Sequence, residues 1–223
     1  CFNRSQNSLG SKHSMSTPIV VLASFAGGVG KTTLTHALAV ACAEFGKKAL
    51  AIDLDSSGAL TFKLGHERTR ENVINCDERF DLRPHTATDS LATLISEIPE
   101  KYDLVLVDSA PLFTAELAEV LKAAQLVISP VRESIHSLRG ALAVMKITSA
   151  PFKALPFFAA NNSELAKLIA AELNLLDGEI SIAAEVLAAE AKQVSVLTDD
   201  KNCNVAQQYR DATYSILEEL KIF

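Results

Sequence analysis

Residues 25–33 read Phe25-Ala26-Gly27-Gly28-Val29-Gly30-Lys31-Thr32-Thr33. Glycines at this density let successive backbone N–H groups turn inward and approach phosphate oxygens closely. The residues that follow have helical spacing, so the positive end of a helix would point at the same phosphates. Lys31 can reach the β- and γ-phosphates, the Thr32 hydroxyl can ligate Mg²⁺, and Thr33 can donate to the α-phosphate. Gly27, Gly28, Val29 and Gly30 complete the cradle. The general spacing G-x-x-x-x-G-K-[ST] would place its first glycine where Phe25 stands. A glycine-rich turn before an ordinary helix is the alternative that spacing alone leaves open.

Carboxylates recur at the ends of two apolar runs. Ala49-Leu50-Ala51-Ile52-Asp53-Leu54-Asp55 ends in a pair, and Leu104-Val105-Leu106-Val107-Asp108 in one. In open α/β sheets ligands bind beyond the carboxyl ends of the strands, so these acids are expected to gather beside the phosphate loop. Asp108 has the character of an acid that holds Mg²⁺ directly or through water. Asp55, at the start of an irregular segment, suits orientation of an attacking water. A turn or helix cap is the ordinary use of a single Asp at such a place.

The elements that must position these groups follow from periodicity. Short apolar runs at Ile19–Ser24, Ala49–Leu54, Leu104–Val107, Leu126–Val131, Leu155–Ala160 and Ile180–Ile182 predict strands. Helical spacing predicts helices over Lys31–Phe45 (stopped by Gly46), around Leu91–Pro99, and over Ala115–Ala124, Leu138–Ile147, Ala166–Leu173, Ala184–Ala191 and Val205–Leu220. Residues 56–85 look irregular and charged. Strands alternating with helices predict an α/β fold: a mainly parallel twisted sheet with helices on both faces, in one domain over 15–223. Residues 1–14 are polar and are expected to be a flexible extension or an expression remnant before Met15.

Composition narrows the classes. The 223 residues are 48% apolar and 22% charged, with a formal charge of −6. Such a chain is not disordered. The four cysteines form no C-x-x-C pair, which disfavours a metal-cluster carrier, and Cys42 reads as a small buried hydrophobe. No apolar run reaches the ~20 residues of a membrane span, and no membrane partner is expected.

Together, FAGGVGKTT, AIDLDSSGALT, YDLVLVDSAP and the tail VLTDDKNCNVAQQYRDATYSIL resemble the ParA/MinD family of deviant-Walker P-loop ATPases, over about Thr17 to Leu220. The resemblance implies Mg-ATP binding, slow hydrolysis, an ATP-dependent homodimer, and use in positioning DNA or a protein cargo with a ParB-like or adaptor partner, in the cytoplasm. It assigns Lys31 and Thr32 to phosphate and Mg²⁺, Asp55 to the water, Asp108 to the metal as the Walker-B acid, and Asn161 to adenine; the adjacent Asn162 is an alternative for the last. The family's signature lysine, just before the two glycines, is here Ala26. Either another cation substitutes, with Arg132, Lys146 and Lys153 as candidates, or the chain is a nucleotide-binding adaptor with little hydrolysis. A different P-loop enzyme, such as a small-molecule kinase or ATP-dependent ligase, is a third alternative.

Charge bears on the DNA partner. From residue 150 onward there are 6 Lys and Arg against 11 Asp and Glu, a local balance of −5. Lys192, Lys201 and Arg210 are the residues left to form a basic patch for non-specific DNA contact.

Overall fold

The computed structural model describes residues 17–66, 72–84, 95, 98, 101–158 and 163–223. In chain order the elements are β1 (Ile19–Leu22), α1 (Lys31–Glu44), β2 (Ala49–Asp53), α2 (Ala59–Lys63), β3 (Ile74–Asn75), β4 (Asp81–Arg83) and β5 (Leu104–Asp108). They continue with α3 (Ala115–Ala123), β6 (Leu126–Arg132), α4 (Ile135–Ile147), β7 (Phe152–Phe158), α5 (Glu164–Glu172) and β8 (Ile180–Ser181). The last three are α6 (Ala184–Ala191), α7 (Val196–Asp199) and α8 (Asn204–Glu219).

The strands form one sheet in the order β3-β4-β2-β5-β1-β6-β7-β8. Every pairing is parallel except β3–β4. Because β1 lies between β5 and β6, its carboxyl end opens where the strand order reverses, the position at which such sheets bind ligands. Alternation of side chains sorts β1 between two cores. Val20 and Leu22 pack with α1 and α8, and Ile19 and Val21 pack with α3, α4 and α5. Both faces are therefore covered, which is why the central strands read as unbroken apolar runs. Each fully buried Leu, Ile or Val contributes roughly 1.5–3 kcal/mol relative to exposure, and that sum holds the carboxyl edge rigid.

Caps start several of the helices. Ser134 accepts from Ser137 N at the head of α4, Ser163 from Ala166 N at α5, and Thr114 from Leu117 N at α3. These caps place the starts of α4 and α5 at Ile135 and Glu164, earlier than the apolar spacing alone predicts.

The segment 56–85 departs most from expectation, since it carries α2, β3 and β4. Only Leu82 of β4 is buried, and the strand is held by distant partners: Asp81 accepts from Tyr102 Oη at 2.6 Å, Lys101 Nζ at 3.0 Å and Asn75 Nδ2 at 2.7 Å. β7 also begins at Phe152 rather than Leu155: its ladder with β6 starts at Val127 opposite Phe152, and Lys153, which interrupts the apolar pattern, pairs with Glu219 at 3.1 Å. Of the expected helix around Leu91–Pro99 only Ile95, which is helical, and Ile98 are described, both packed against the core; the strand end at Ala159–Ala160 and residues 1–14 lie outside the described residues. Among the described residues no helix is long and apolar enough to cross a membrane. Cys42 is fully buried and burial pushes its thiol up to about 12, the state of an inert core residue.

Candidate functional site

The chain leaves β1 at Leu22 and turns through the glycine-rich segment into α1. Gly28 (φ 69°) and Gly30 (φ 105°) adopt left-handed conformations that L side chains disfavour, so the turn requires glycine at both. The arm entering the turn is held from the side: Phe25 N donates to Gly140 O of α4 at 3.3 Å, and Ala26 N donates to Ser24 Oγ at 3.3 Å. Lys31, the first residue of α1, folds back so that its Nζ donates to the Ser24 and Ala26 carbonyls at 3.4 and 3.5 Å. Burial lowers its pKa, while the charges of Asp108 and Asp55 oppose that shift.

The loop roofs a cavity of about 490 Å³, a volume suited to a small organic ligand. Its polar end is formed by residues 27–33 with Asp55, Ser109 and Arg132. Its other end is largely apolar, with Phe157 of β7, Ile182, and Val186 and Leu187 of α6. Anion cradle and apolar wall together suit a molecule with a phosphate tail and a flat, weakly polar head.

The three strand-end acids have different roles. Asp108 ends β5 fully buried; Thr35 Oγ1, which donates to Lys31 O at 3.0 Å, lies 3.4 Å from its Oδ1, and Oδ2 has no hydrogen-bond partner among the described residues. Burial pushes its carboxyl up to about 7, against the pull of Thr32 and Lys31. An unpartnered buried carboxylate oxygen is costly, and a hard cation or its bound water would supply what is missing. Asp108 and the Thr32 hydroxyl are the oxygen donors Mg²⁺ takes, so the residues fit that ion.

Asp53, next to Asp108 in the register, is also fully buried but is satisfied. Its Oδ2 accepts from Thr61 N (2.8 Å) and Thr61 Oγ1 (2.7 Å), and its Oδ1 from Asp55 N (3.2 Å). Asp53 therefore anchors α2 and the turn before it. Asp55 is half-buried and lines the cavity, with its own turn closed by Ser57 N on Oδ1 and Gly58 N on its carbonyl, both at 2.8 Å.

The sequence-predicted residues Gly27, Gly28, Val29, Gly30, Lys31, Thr32, Thr33 and Asp55 thus share one cavity, with Asp108 beneath it. Asn161 and Asn162 lie outside the described residues. Ala26 is fully buried. A Cβ built on Gly140 would lie only 2.8 Å from Ala26 Cβ, so α4 closes off the space into which a longer side chain at 26 would extend. Of the three candidate substitute cations, Arg132 lines the cavity. Lys153, at the amino end of β7, and Lys146, in the last turn of α4, sit toward the opposite edge of the sheet.

Lys192 and Arg210, considered with Lys201 for a basic patch in the carboxyl-terminal segment, lie close to carboxylates or carbonyls of the chain itself. Lys192 pairs with Asp199 at 2.6 Å, and Arg210 binds Glu44 through two bonds of 2.6 and 3.0 Å while also reaching Lys201 O. Two of the three cations are thus ion-paired within the chain.

Glu190, Lys63, Ser109, Phe157 and Tyr209 also stand at or behind the cavity and were not singled out by the sequence. For Glu190 the one available signal was its helical spacing from Val186, which places both on one face of α6.

Residues 20–198 match the CobQ/CobB/MinD/ParA nucleotide binding domain. The chromosome-partitioning ATPase Soj of Thermus thermophilus is 35% identical over 142 residues, covering 54% of this chain and 57% of Soj. The aligned part is thus little more than half of that relative. MinD of Pyrococcus horikoshii, complexed with Mg-ADP, superposes with a TM-score of 0.76 at 18% identity, over 89% of this chain and 95% of that one. Cobyrinic acid a,c-diamide synthase of Mycobacterium smegmatis, with an ATP analog and magnesium, superposes at 0.73 and 22% identity, over 92% and 96%. The two superpositions show the shared fold. With its phosphate loop, its strand-end acids and this match over most of its length, the chain belongs to the CobQ/CobB/MinD/ParA nucleotide-binding family, as a P-loop protein of the ParA/MinD type.

Proposed function

We propose that the chain is a ParA-like Mg-ATP-dependent switch in which slow, partner-stimulated hydrolysis is coupled to homodimerisation, used to partition DNA or position a protein cargo in the cytoplasm. The observation that carries the reading is Asp108 Oδ2, buried and without a described partner, beside Thr32 and beneath a glycine loop that offers backbone N–H groups and Lys31. Lys31, now on its own loop's carbonyls, exchanges them for phosphate oxygens. Thr32 and Asp108 hold Mg²⁺, which when bound neutralises charge on the β- and γ-phosphates. Asp55, tied by Asp53 to a closed turn at the cavity wall, orients the attacking water. Asn161 or Asn162 contacts the adenine. The identity to Soj supports partition; the −5 balance of the carboxyl-terminal segment favours a protein partner, ParB-like or cargo adaptor, over bare DNA.

Ala26 favours a second reading, a nucleotide-binding adaptor with little hydrolysis, because its side chain carries no charge across a dimer. Titration calorimetry with Mg-ATP tests the first requirement, and absence of binding overturns both readings. Sedimentation with ADP and with a non-hydrolysable ATP analogue separates them: an ATP-specific dimer supports the switch, and an unchanged monomer supports the adaptor. Asp55→Ala should keep nucleotide affinity and slow turnover at least tenfold, roughly the scale of a lost water-orienting group; unchanged turnover removes the role from Asp55.

A further inference from the structure

The first turn of α1 carries a second hydroxyl, Thr33, which is already engaged. Thr33 Oγ1 donates to Glu190 Oε1 at 2.6 Å, and the same oxygen takes the ammonium of Lys63. One carboxylate oxygen thus joins three segments: the helix of the phosphate loop, the short helix α2 that follows the Asp55 turn, and α6, which walls the cavity. The side chains of Lys63 and Glu190 are 13% and 34% exposed, so solvent screens the pair only in part. Lys63 and Thr33 hold the Glu190 carboxyl below its usual range although burial pushes the other way, and it is ionised.

Two consequences follow for an anionic ligand. Glu190 lines the cavity beside Thr32 and Thr33, so its charge opposes a polyphosphate tail. A hydroxyl also has a single proton, so Thr33 donates either to Glu190 or to a phosphate oxygen. Lys63, which lines an adjoining recess with Thr32, Thr33 and Glu190, is neutralised only while Glu190 holds it.

We propose that Glu190 is a positioning residue that competes with the nucleotide for Thr33, so that phosphate binding releases the Thr33–Glu190–Lys63 junction, frees Lys63 toward the phosphates and transmits occupancy to α2 and α6. The proposal rests on the nucleotide reading above. It differs from an ordinary structural ion pair in the sign of its effects. Breaking a structural pair from either side weakens the site, whereas here the two sides act oppositely.

The test is calorimetry on the full chain with a non-hydrolysable Mg-ATP analogue and with Mg-ADP, for wild type, Glu190→Gln and Lys63→Met, alongside thermal unfolding. Removing one partly screened charge near a polyphosphate changes affinity by about fivefold. Glu190→Gln should therefore bind both nucleotides about fivefold tighter, and Lys63→Met, which leaves Glu190 uncompensated, should bind them weaker by a similar factor. Both should unfold at a lower temperature than wild type. Unchanged or weaker binding by Glu190→Gln overturns the proposal, as does movement of both variants in the same direction. Should either variant fail to fold, the other still decides, since each has its own expected sign. If wild type binds neither nucleotide, the nucleotide reading itself falls; if wild type binds and the signs are wrong, only the role of Glu190 does.

Discussion

Gly140 offers a direct test of how the phosphate loop is held. It lies in the middle of α4, where replacement by alanine normally stabilises a helix by about 0.8–1.0 kcal/mol. At this position a Cβ would stand 2.5 Å from Ala26 N, 2.8 Å from Ala26 Cβ and 3.0 Å from Ser24 Oγ. The nearest of these is backbone, which cannot turn aside as a flexible side-chain end can. Forcing a methyl into a filled site costs about 1–3 kcal/mol. Displacing the arm also strains the Phe25 N–Gly140 O bond, worth about 1 kcal/mol. Overpacking therefore exceeds the propensity gain, and Gly140→Ala should destabilise the protein by about 2 kcal/mol net. For a chain of this size that is a fall in Tm of about 4–8 °C. Because Ser24 and Ala26 are the residues whose carbonyls receive Lys31, nucleotide affinity should fall as well. Differential scanning fluorimetry and titration calorimetry read the two effects. Adding Ala26→Gly removes the methyl contact but not the contact with the backbone nitrogen, so it should restore only part of the loss. A Tm raised by a few degrees with unchanged nucleotide affinity would refute the claim that α4 braces the loop.

Thr61→Val deletes the 2.7 Å bond to Asp53 while keeping the shape of the side chain. Loss of a hydrogen bond to a buried carboxylate should cost about 1.5–3 kcal/mol in urea unfolding, and it should lower turnover more than nucleotide affinity, since Asp53 holds the Asp55 turn; equal losses in both would count against that anchoring role. Glu78 is half-buried, which pushes its carboxyl up, but His36, Thr198 Oγ1 and Ser195 N outweigh burial and hold it below its usual range. A carboxyl depressed on folding stabilises the fold above its unfolded value of about 4.3 and loses that contribution as pH falls through the folded value. Glu78→Gln should consequently lower stability at pH 7 and flatten the loss of stability below about pH 4.5; an acid limb as steep as that of wild type contradicts the assignment. Asp108→Asn should abolish the Mg²⁺ dependence of nucleotide affinity while leaving the fold intact, read by calorimetry with and without Mg²⁺, and a retained Mg²⁺ effect would take the ion away from Asp108.

Much of this architecture was legible in the amino-acid order, for local reasons. The strands β1, β2, β5, β6 and β7 are covered on both faces, so their apolar runs announce them. The phosphate loop is a contiguous segment in which glycine is required by the backbone and Lys31-Thr32-Thr33 by the chemistry. Asp55 and Asp108 could be placed at one edge because a parallel sheet brings all strand ends of one polarity together. What the order of residues did not reveal depends on partners far away in the chain. β4 is a strand because Asp81 meets Tyr102 and Lys101, and α2 is anchored by Asp53, eight residues before Thr61. Arg210 and Lys192 look like free cations until Glu44 and Asp199 are seen beside them. At the cavity the sequence sets Asp55 apart by its place at the start of an irregular segment, but only the fold shows Asp53 to be held by Thr61. Sequence by itself determined the central strands and the phosphate cradle, since these follow from periodicity, glycine geometry and residue spacing within short segments. Tertiary structure alone decided which charges are compensated, because a charge is neutralised through space, by groups such as Glu190 and Lys63 that stand 127 residues apart along the chain and pair in the fold.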